Sequence, residues 1–308
     1  METVFDKSKY RVLNKDNLVQ RYQISDRLYM LNEANSAHLY LFVGDKKALL
    51  FDTGYGFVDY RHLIREVTDL PLIVVCSHGH DDHVLGCFQF PQAYIGEEDL
   101  ELCLSNDNDR QREKQIMSRR NKTPNIDEIV DREAYFATTL RNCEFLFARD
   151  GDIFDLGGIR LVVYPIPGHT RGSIGLYCPE LKAVFTGDTM EFEHKLVYGQ
   201  KMTVSAPPYK FIAALSRLEK LDIETVWPAH GSVPADKGLI SGTKAMLIDW
   251  AHHADPEKDV FYDTKPSPFS PPGTPHYAYH YMNLNMSYNP GHLEEIREFM
   301  ASHDGAVE

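Results

Sequence analysis

The stretch PLIVVCSHGHDDH, residues 71–83, decides how this sequence is organised. Residues 71–76 form a short and unbroken apolar run, which is typical of a strand that is buried on both faces. Three histidines and a carboxylate follow directly, namely His78, His80, Asp82 and His83. Imidazole and carboxylate groups are the usual ligands of zinc and of similar divalent ions. The stretch therefore predicts a metal-binding loop at the end of a buried strand.

Three further motifs each place a candidate ligand after a predicted strand and beside a glycine. PIPGHTRGS (165–173), FTGDT (185–189) and WPAHG (227–231) contribute His169, Asp188 and His230. Open α/β sheets build their sites beyond the strand ends, and glycine permits the tight turns that such sites need. Each motif alone is a weak signal. Together with the histidine-rich stretch, they predict one shared site.

Strand and helix patterns alternate along the chain, which predicts the α/β class. The predicted strands are 28–31, 37–43, 47–51, 71–76, 144–147, 159–164, 174–177, 183–186 and 225–227, and the predicted helices are 58–67 and 209–221. Residues 97–141 are rich in charged and amide side chains, so we expect two or three surface helices inserted there. The acidic run 97–109 within them is interpreted as a solvated face.

The four motifs SHGHDDH, PGHTRGS, FTGD and PAHG, in this order, resemble those of the metallo-β-lactamase-fold hydrolase superfamily. The most similar branch contains the hydroxyacylglutathione hydrolases (glyoxalase II) and the acyl-homoserine lactonases. The resemblance covers roughly residues 22–235 and implies a four-layer αβ/βα sandwich with a two-metal site along one edge of the sheets. On this basis we expect a hydrolase domain over residues 1–254, with a helical insertion at about 97–141. Residues 255–308 are expected to form a proline-rich strap and a C-terminal extension that packs on the body.

The resemblance also implies a ligand set. It assigns His78, His80 and His169 to one metal, Asp82, His83 and His230 to the other, and Asp188 to both. Asp52, in the stretch FDTGYG, matches a position that steadies the site without ligating. Arg171 stands where the family commonly has proline, which leaves the ligand set intact. Zinc is the first expectation for the two divalent ions, and iron or manganese would fit nearly as well because every ligand is an imidazole or a carboxylate.

Seven ligands, one of them shared, leave room for a water or hydroxide between two cations that lower its pKa. We therefore expect a dinuclear metal-dependent hydrolase that uses a metal-bridging hydroxide to cleave a small ester, thioester or lactone. Asp82 is the predicted catalytic residue, because a carboxylate beside that water can shuttle its proton to the leaving group. The alternatives are a phosphodiesterase of the same fold, a non-hydrolytic iron-site oxidoreductase, and a signal-effector protein with a vestigial site.

Charge and composition limit the partners of the chain. The net charge of −13 repels phosphate backbones, and no apolar run is long enough to span a membrane, so we expect a small-molecule substrate rather than nucleic acid or lipid. The N-terminus lacks the pattern of a signal peptide, and the five cysteines are scattered and odd in number, which indicates reduced thiols in the cytoplasm. Cys76 and Cys87 are expected to be buried structural thiols. A homodimer is left open.

The C-terminal segment carries its own pattern. Prolines concentrate in residues 265–275 and predict a linker, after which Tyr277, Tyr279 and Tyr281 alternate at period two. We interpret these tyrosines as an edge strand that packs on the body, with Met282, Leu284 and Met286 on its opposite face. A further hypothesis is that residues 276–288 fold back near the metal site, or onto a second subunit, and limit the size of the substrate.

Overall fold

The computed structural model describes residues 11–15, 18–190, 195–197, 206–262, 273 and 275–302. Its contacts divide the chain into two compact units, an N-terminal unit that ends at Val163 and a C-terminal unit that begins at Tyr164. The domain boundary expected after residue 254 stays a prediction. Within the described residues, no helix combines the length and the apolar character needed to cross a membrane.

An eight-stranded sheet, with its strands in chain order, forms the centre of the N-terminal unit. Its strands are β1 (Arg11–Lys15), β2 (Val19–Gln23), β3 (Leu28–Glu33), β4 (His38–Val43), β5 (Ala48–Phe51), β6 (Leu72–Val75), β7 (Gln92–Ile95) and β8 (Glu144–Phe147). The first five strands pair antiparallel, whereas β5 to β8 pair parallel. Parallel neighbours need crossover connections: α1 (Tyr60–Arg65) lies in the connection from β5 to β6, and the short α2 (Asp81–Val84) lies in the connection from β6 to β7. The predicted α/β class is confirmed.

The helical insertion is more broken than the sequence predicted. Instead of two or three helices, it contains four α-helices, namely α3 (Leu100–Ser105), α4 (Asp109–Arg119), α5 (Ile126–Ile129) and α6 (Arg132–Phe136). New helices begin because Asn108 and Asp131 accept backbone N–H groups of the first turn that follows. The prediction of a solvated acidic face is wrong at Asp99, which is only 1% exposed.

The insertion shares a core with the loop that follows β5. Ile116 of α4 and Tyr135 of α6 pack in one buried cluster with Tyr55 and Phe57. Tyr55 and Phe57 stack with their ring centroids 5.1 Å apart, and Tyr135 meets Phe57 edge-on. The insertion is therefore part of the packing that positions the loop after β5.

An antiparallel hairpin of β9 (Ile153–Asp155) and β10 (Arg160–Pro165) leads into the C-terminal unit. The described part of this unit contains paired strands and three helices. Its strands are β11 (Ile174–Cys178), β12 (Ala183–Gly187), β13 (Lys195–Val197), β14 (Thr225–Pro228), β15 (Ala235–Asp236), β16 (Val260–Tyr262), β17 (Pro275–Tyr281) and β18 (Leu284–Tyr288). Its helices are α7 (Pro208–Leu218), α8 (Gly238–His253) and α9 (Pro290–Ser302). β12 pairs antiparallel with β11 and parallel with β14.

The C-terminal tyrosines lie on a central strand and not on an edge strand. β17 pairs with β16 on one side and with β18 on the other. Tyr279 stands opposite Met286 and Tyr281 opposite Leu284, so the expectation of opposite faces is wrong because the turn at Met282 reverses the chain. All three tyrosines pack against the core around α7 and α8. The hypothesis that this segment lies near the metal site stays a prediction, and most of the proline-rich stretch falls outside the described residues.

Helix α8 was not predicted from the sequence. Gly238 and Gly242 lower its helical propensity, so the pattern alone gives little indication of a helix. A Cβ atom on Gly242 would lie 3.3 Å from Leu284 Cδ1, which is closer than most such contacts. The glycine therefore allows β18 to approach the helix, and tertiary packing rather than propensity explains this element.

Candidate metal centre

Two parallel strands deliver the first group of candidate ligands. Phe51 at the end of β5 stands beside Val75 at the end of β6, and the Asp52 N–H donates to the Val75 carbonyl at 2.8 Å. The chains after both strands therefore leave the sheet at the same edge. A Cβ atom on Gly79 would lie 2.7 Å from the Asp99 carbonyl oxygen, so only glycine fits between the two histidines of this loop.

Asp52 is a buried carboxylate that organises the loop. One of its oxygens accepts the Ser77 backbone N–H at 2.6 Å, and the other accepts the Ser77 hydroxyl at 2.8 Å and His83 Nδ1 at 2.9 Å. Its φ of +69° is unusual for a residue other than glycine. Because a carboxylate at Nδ1 selects the tautomer with its proton there, Nε2 of His83 carries the lone pair that a metal needs. The steadying role predicted for Asp52 fits these contacts.

The spacing of the donor atoms in this loop fits a metal ion. His78 Nε2 lies 3.0 Å from His80 Nδ1, and His83 Nε2 lies 3.4 Å from Asp82 Oδ1. Two ligand atoms at about 2.0–2.1 Å from a tetrahedral ion are themselves about 3.4 Å apart. The N-terminal unit thus brings its four predicted ligands together as two pairs whose spacing resembles the edges of coordination tetrahedra.

Two residues of the insertion hold the backbone of the loop, and sequence reasoning missed both. The Gly79 N–H donates to Asp99 Oδ2 at 2.8 Å, and the Asn106 side-chain amide donates to the Gly79 carbonyl at 2.8 Å. Both residues are buried. Nothing in the local pattern distinguishes Asp99 from Glu97 or Glu98, so the sequence held no signal for this contact.

A further carboxylate of the loop, Asp81, faces helix α4. The side-chain amides of Gln111 and Gln115 donate to its Oδ2 atom. Burial raises the pKa of Asp81, and the neighbouring carboxylate of Asp82 raises it further, while the two amides oppose the shift. Helix α4 therefore packs directly against the loop that carries the candidate ligands.

Backbone pairing positions the three candidate ligands of the C-terminal unit. Asp188 follows β12 and His230 follows β14, and these parallel strands end side by side, with the Ala229 N–H donating to the Gly187 carbonyl at 2.9 Å. His169 lies in the turn before β11. That turn is closed by the hydrogen bond from Ile166 N–H to the Ser173 carbonyl at 2.9 Å.

Asp188 stands between two imidazoles. Its Oδ2 atom lies 3.6 Å from His169 Nε2, and its Oδ1 atom lies 3.3 Å from His230 Nε2. All three residues are mostly buried, with Asp188 only 7% exposed. Because each carboxylate oxygen faces a different imidazole, the geometry suits a carboxylate that is shared between two ions.

The donor chemistry of both groups fits a divalent metal. Every candidate is an imidazole or a carboxylate, which suits zinc, iron or manganese. Cys76 and Cys87 do not join the ligands: both are fully buried, with their sulfur atoms 3.3 Å apart, as the sequence predicted. The contact with Cys87 lowers the pKa of the Cys76 thiol, but burial and Asp52 outweigh it and raise the pKa to about 11. A thiol that stays protonated at neutral pH is a poor ligand.

The chain matches a family model described as the metallo-beta-lactamase superfamily over residues 34–101 and 110–230. It is 28% identical over 181 residues to the acyl-coenzyme A thioesterase MBLAC2 of Homo sapiens, covering 55% of this chain and 63% of that protein. It is 30% identical over 151 residues to the hydroxyacylglutathione hydrolase GloC of Haemophilus influenzae, covering 47% of this chain and 62% of that protein. The matches thus span less than two thirds of the length of either relative.

Solved structures show the same fold. The metallo-beta-lactamase from Pontibacter korlensis superposes with a TM-score of 0.52 and 22% sequence identity, covering 75% of this chain and 99% of that one. At this identity the similarity shows the fold alone. The fold predicted from the four motifs is confirmed, and the family match together with the donor set implies that the chain binds a divalent metal.

Proposed function

This chain belongs to the metallo-β-lactamase superfamily, and from that premise we propose that it is a dinuclear metal-dependent hydrolase of thioesters. The observation that carries the proposal is the position of Asp188, which turns one oxygen towards His169 and the other towards His230. A shared carboxylate is what a pair of ions requires. The names of the two relatives, a coenzyme A thioesterase and a hydroxyacylglutathione hydrolase, favour a thioester over an ester or a lactone.

The proposed ligand set is the one that the family resemblance implies. His78, His80 and His169 would hold one ion, Asp82, His83 and His230 would hold the other, and Asp188 would contact both. The donor spacings of 3.0–3.6 Å within each unit support this set, because they are close to the edges of a tetrahedral site. We propose zinc as the native ion, with iron and manganese as the alternatives that the same donors accept.

The side chains around the loop would divide the work of catalysis. Bound divalent ions would supply Lewis acidity, which lowers the pKa of water and polarises a carbonyl. Asp52 holds His83 in the tautomer that presents Nε2. The Asp82 side chain is 17% exposed, so its carboxylate can contact substrate, accept a proton and pass it to the leaving thiolate. Ser77 is not proposed as a nucleophile, because it is only 1% exposed and its hydroxyl holds Asp52 in the interior of the loop.

A hydrolysis panel on metal-reconstituted protein tests the proposal. The substrates are an acyl-coenzyme A, S-lactoylglutathione, an acyl-homoserine lactone and bis(p-nitrophenyl) phosphate, and the metal content is measured on the same samples. We expect about two ions per chain and release of free thiol, lost after chelation and restored by zinc or manganese. His83→Ala should abolish the activity, whereas His252→Ala, at an exposed histidine on α8, should not.

Two outcomes would contradict the proposal. Hydrolysis of the phosphodiester without hydrolysis of any thioester would favour the phosphodiesterase alternative. One tightly bound ion with no second site, in active protein, would exclude a dinuclear centre.

We further propose that the protein acts in the cytoplasm on a small molecule. The five cysteines are all free and buried, and the two that lie 3.3 Å apart remain thiols, which supports a reducing compartment. The net charge of −13 favours neither nucleic acid nor an anionic membrane surface as a partner. Sedimentation of the purified protein would decide between a monomer and the homodimer that the sequence left open.

A further inference from the structure

One face of helix α4 begins at the ligand loop and ends at Arg119. Gln111, Gln115 and Arg119 are spaced four residues apart and therefore lie on the same side of the helix. The first two donate to Asp81, next to the proposed catalytic Asp82. Arg119 follows one turn later, about 6 Å further along the helix axis. Gln115 is buried against the loop, whereas Arg119 is partly exposed, so the guanidinium group lies where this face of the helix emerges beside the loop.

Arg119 lies on a rigid aromatic surface. Its guanidinium carbon is 5.5 Å from the centroid of the Tyr55 ring, which fits a cation–π contact. Tyr55 is fixed from three sides: its hydroxyl contacts Ser36 Oγ at 3.0 Å, its N–H donates to Glu33 at 2.6 Å, and its carbonyl accepts the Tyr135 hydroxyl at 2.9 Å. Because the platform is buried and fully bonded, the arginine above it is already oriented for a ligand.

Lys122 provides a second positive charge near the Arg119 guanidinium group. Its ammonium donates to the Asn35 carbonyl at 3.4 Å, and the Asn35 side chain donates back to the Lys122 carbonyl at 3.4 Å. Asn35 directly precedes Ser36, whose hydroxyl contacts Tyr55. The Lys122 backbone N–H donates to the Arg119 carbonyl at 2.9 Å, so the two residues are neighbours in the turn that ends the helix. Partial burial lowers the pKa of Lys122, and the charge of Arg119 lowers it further.

The pair differs from three other basic residues of the insertion. Arg120, Arg112 and Arg132 each form an ion pair, with Asp127, Asp107 and Glu113 respectively. Among the described residues, no carboxylate forms an ion pair with Arg119 or Lys122. In a chain with 45 acidic and 32 basic residues, these two cations form a local concentration of positive charge. Both remain accessible to solvent, so both can contact a ligand.

We propose that Arg119 and Lys122 bind the anionic thiol portion of the thioester substrate, through the phosphates of coenzyme A or the carboxylates of glutathione. The inference rests on the proposed thioester hydrolysis. A guanidinium group forms paired hydrogen bonds with phosphate or carboxylate, and an ammonium group adds a compact charge beside it. The protein as a whole repels anions, so a local pair of cations is needed to hold an anionic substrate.

Kinetics on charged and neutral thioesters test the site. The variants are Arg119→Gln, Lys122→Gln and the double variant, with Arg120→Gln as the control, because it removes the same charge from the next residue. The substrates are acetyl-coenzyme A, S-lactoylglutathione and the uncharged S-acetyl-N-acetylcysteamine. For the double variant we expect KM of the charged thioester to rise about tenfold or more, with kcat unchanged. KM for the neutral thioester should not change, and Arg120→Gln should behave as the wild type.

A binding measurement separates this inference from the proposed activity. Coenzyme A and glutathione are titrated separately into the wild type, the double variant and Arg120→Gln by calorimetry. We expect one thiol to bind about tenfold more weakly to the double variant only, and which thiol responds distinguishes phosphate from carboxylate. Equal affinities in all three proteins, no binding of either thiol, or an equal rise in KM for the neutral thioester would overturn the site. If the wild type binds a thiol through Arg119 and hydrolyses no thioester, the site stands and the proposed function fails.

Discussion

The two groups of candidate ligands are held in place by different means. In the N-terminal unit, four ligands fall within six residues of one loop, and buried side chains from other segments support it: Asp52 from the end of β5, and Asp99 and Asn106 from the insertion. In the C-terminal unit, three ligands come from three separate turns. There the paired backbone ends of β12 and β14 and a closed turn before β11 position them.

The two arrangements depend on different parts of the sequence. A compact loop takes its ligands from one motif, but it cannot use regular pairing to fix them, so it depends on carboxylates and amides that lie elsewhere in the chain. Ligands at strand ends are also positioned by the backbone pairing of the sheet. Substitution of Asp52, Asp99 or Asn106 should therefore disturb the N-terminal group.

The largest effect is expected from Asp188→Ala in the C-terminal unit. This carboxylate contacts both neighbouring imidazoles, so its loss should remove the shared ligand of the proposed centre. We expect kcat for a thioester to fall about a thousandfold or more, within the range that loss of metal chemistry explains. Elemental analysis should show fewer than two ions per chain.

The matched control for this substitution is Asp222→Ala, which removes an exposed acid of the same unit that pairs with Lys182. It should keep its metals and its turnover. A normal metal content together with normal kcat in Asp188→Ala would show that the C-terminal group does not contain the shared ligand.

Asp52→Asn tests the side-chain support of the N-terminal group. Asparagine tolerates the positive φ of this position, but its single oxygen cannot replace both carboxylate oxygens, which together accept the Ser77 N–H, the Ser77 hydroxyl and His83 Nδ1. At least one of these contacts is then lost, which loosens the loop that orients the imidazole. Loss of such a support commonly costs about 10–100-fold in metal affinity or activity, and we expect a loss of that size here. Competition with a chromogenic chelator measures the metal affinity. An unchanged affinity would mean that the loop keeps its ligands in place without the Asp52 carboxylate.

These supports mark the limit of what the sequence could predict. The strands that end near the candidate ligands could be predicted, because each apolar run is followed within a few residues by glycine, histidine or aspartate. The sequences after Val75 and after Thr186 are examples. Asp99 was wrongly predicted to be solvated. Which of several neighbouring carboxylates is buried depends on which of them faces Gly79, and tertiary packing decides this. Helix α8 was missed because Gly238 and Gly242 lower its helical propensity, and Gly242 allows the approach of β18. Periodicity reports local preference, and these features arise from contacts between distant segments.

Glu33 supports the N-terminal group indirectly, and its contribution to stability depends on pH. Its two oxygens accept the Tyr55 and Phe57 N–H groups of the loop that begins at Asp52. Burial raises the pKa of Glu33 from 4.5 to about 7, although these hydrogen bonds oppose the shift. Since the folded pKa lies above the unfolded one, the folded state binds the proton more tightly. The free energy of unfolding should therefore decrease as pH rises from about 4.5 to 8, by about 3 kcal/mol from this group.

Glu33→Gln should remove that pH dependence, since glutamine does not titrate. Urea unfolding of wild type and variant, in buffers from pH 5 to 8, measures the difference. The variant lacks one acceptor for a loop N–H, so it should be less stable at pH 5, and the gap should narrow towards pH 8. Parallel curves for the two proteins would mean that Glu33 has an ordinary pKa.

The smallest effect is expected at Cys76, which directly precedes the ligand loop and yet supports none of its ligands. Its thiol contacts Cys87 in the core and stays protonated at neutral pH, because its pKa is about 11. Cys76→Ser should therefore keep both metals and most of its turnover, and lose about 1 kcal/mol of stability, the central value for a core substitution. Cys178→Ser, at a buried thiol of the C-terminal unit, is the matched control. Thermal unfolding and kcat are measured on both variants. If Cys76→Ser alone lost its activity while it remained folded, then Cys76 would support the ligand loop without contacting any of its ligands. Direct contact with a ligand would then not be what distinguishes supporting residues from the rest of the core.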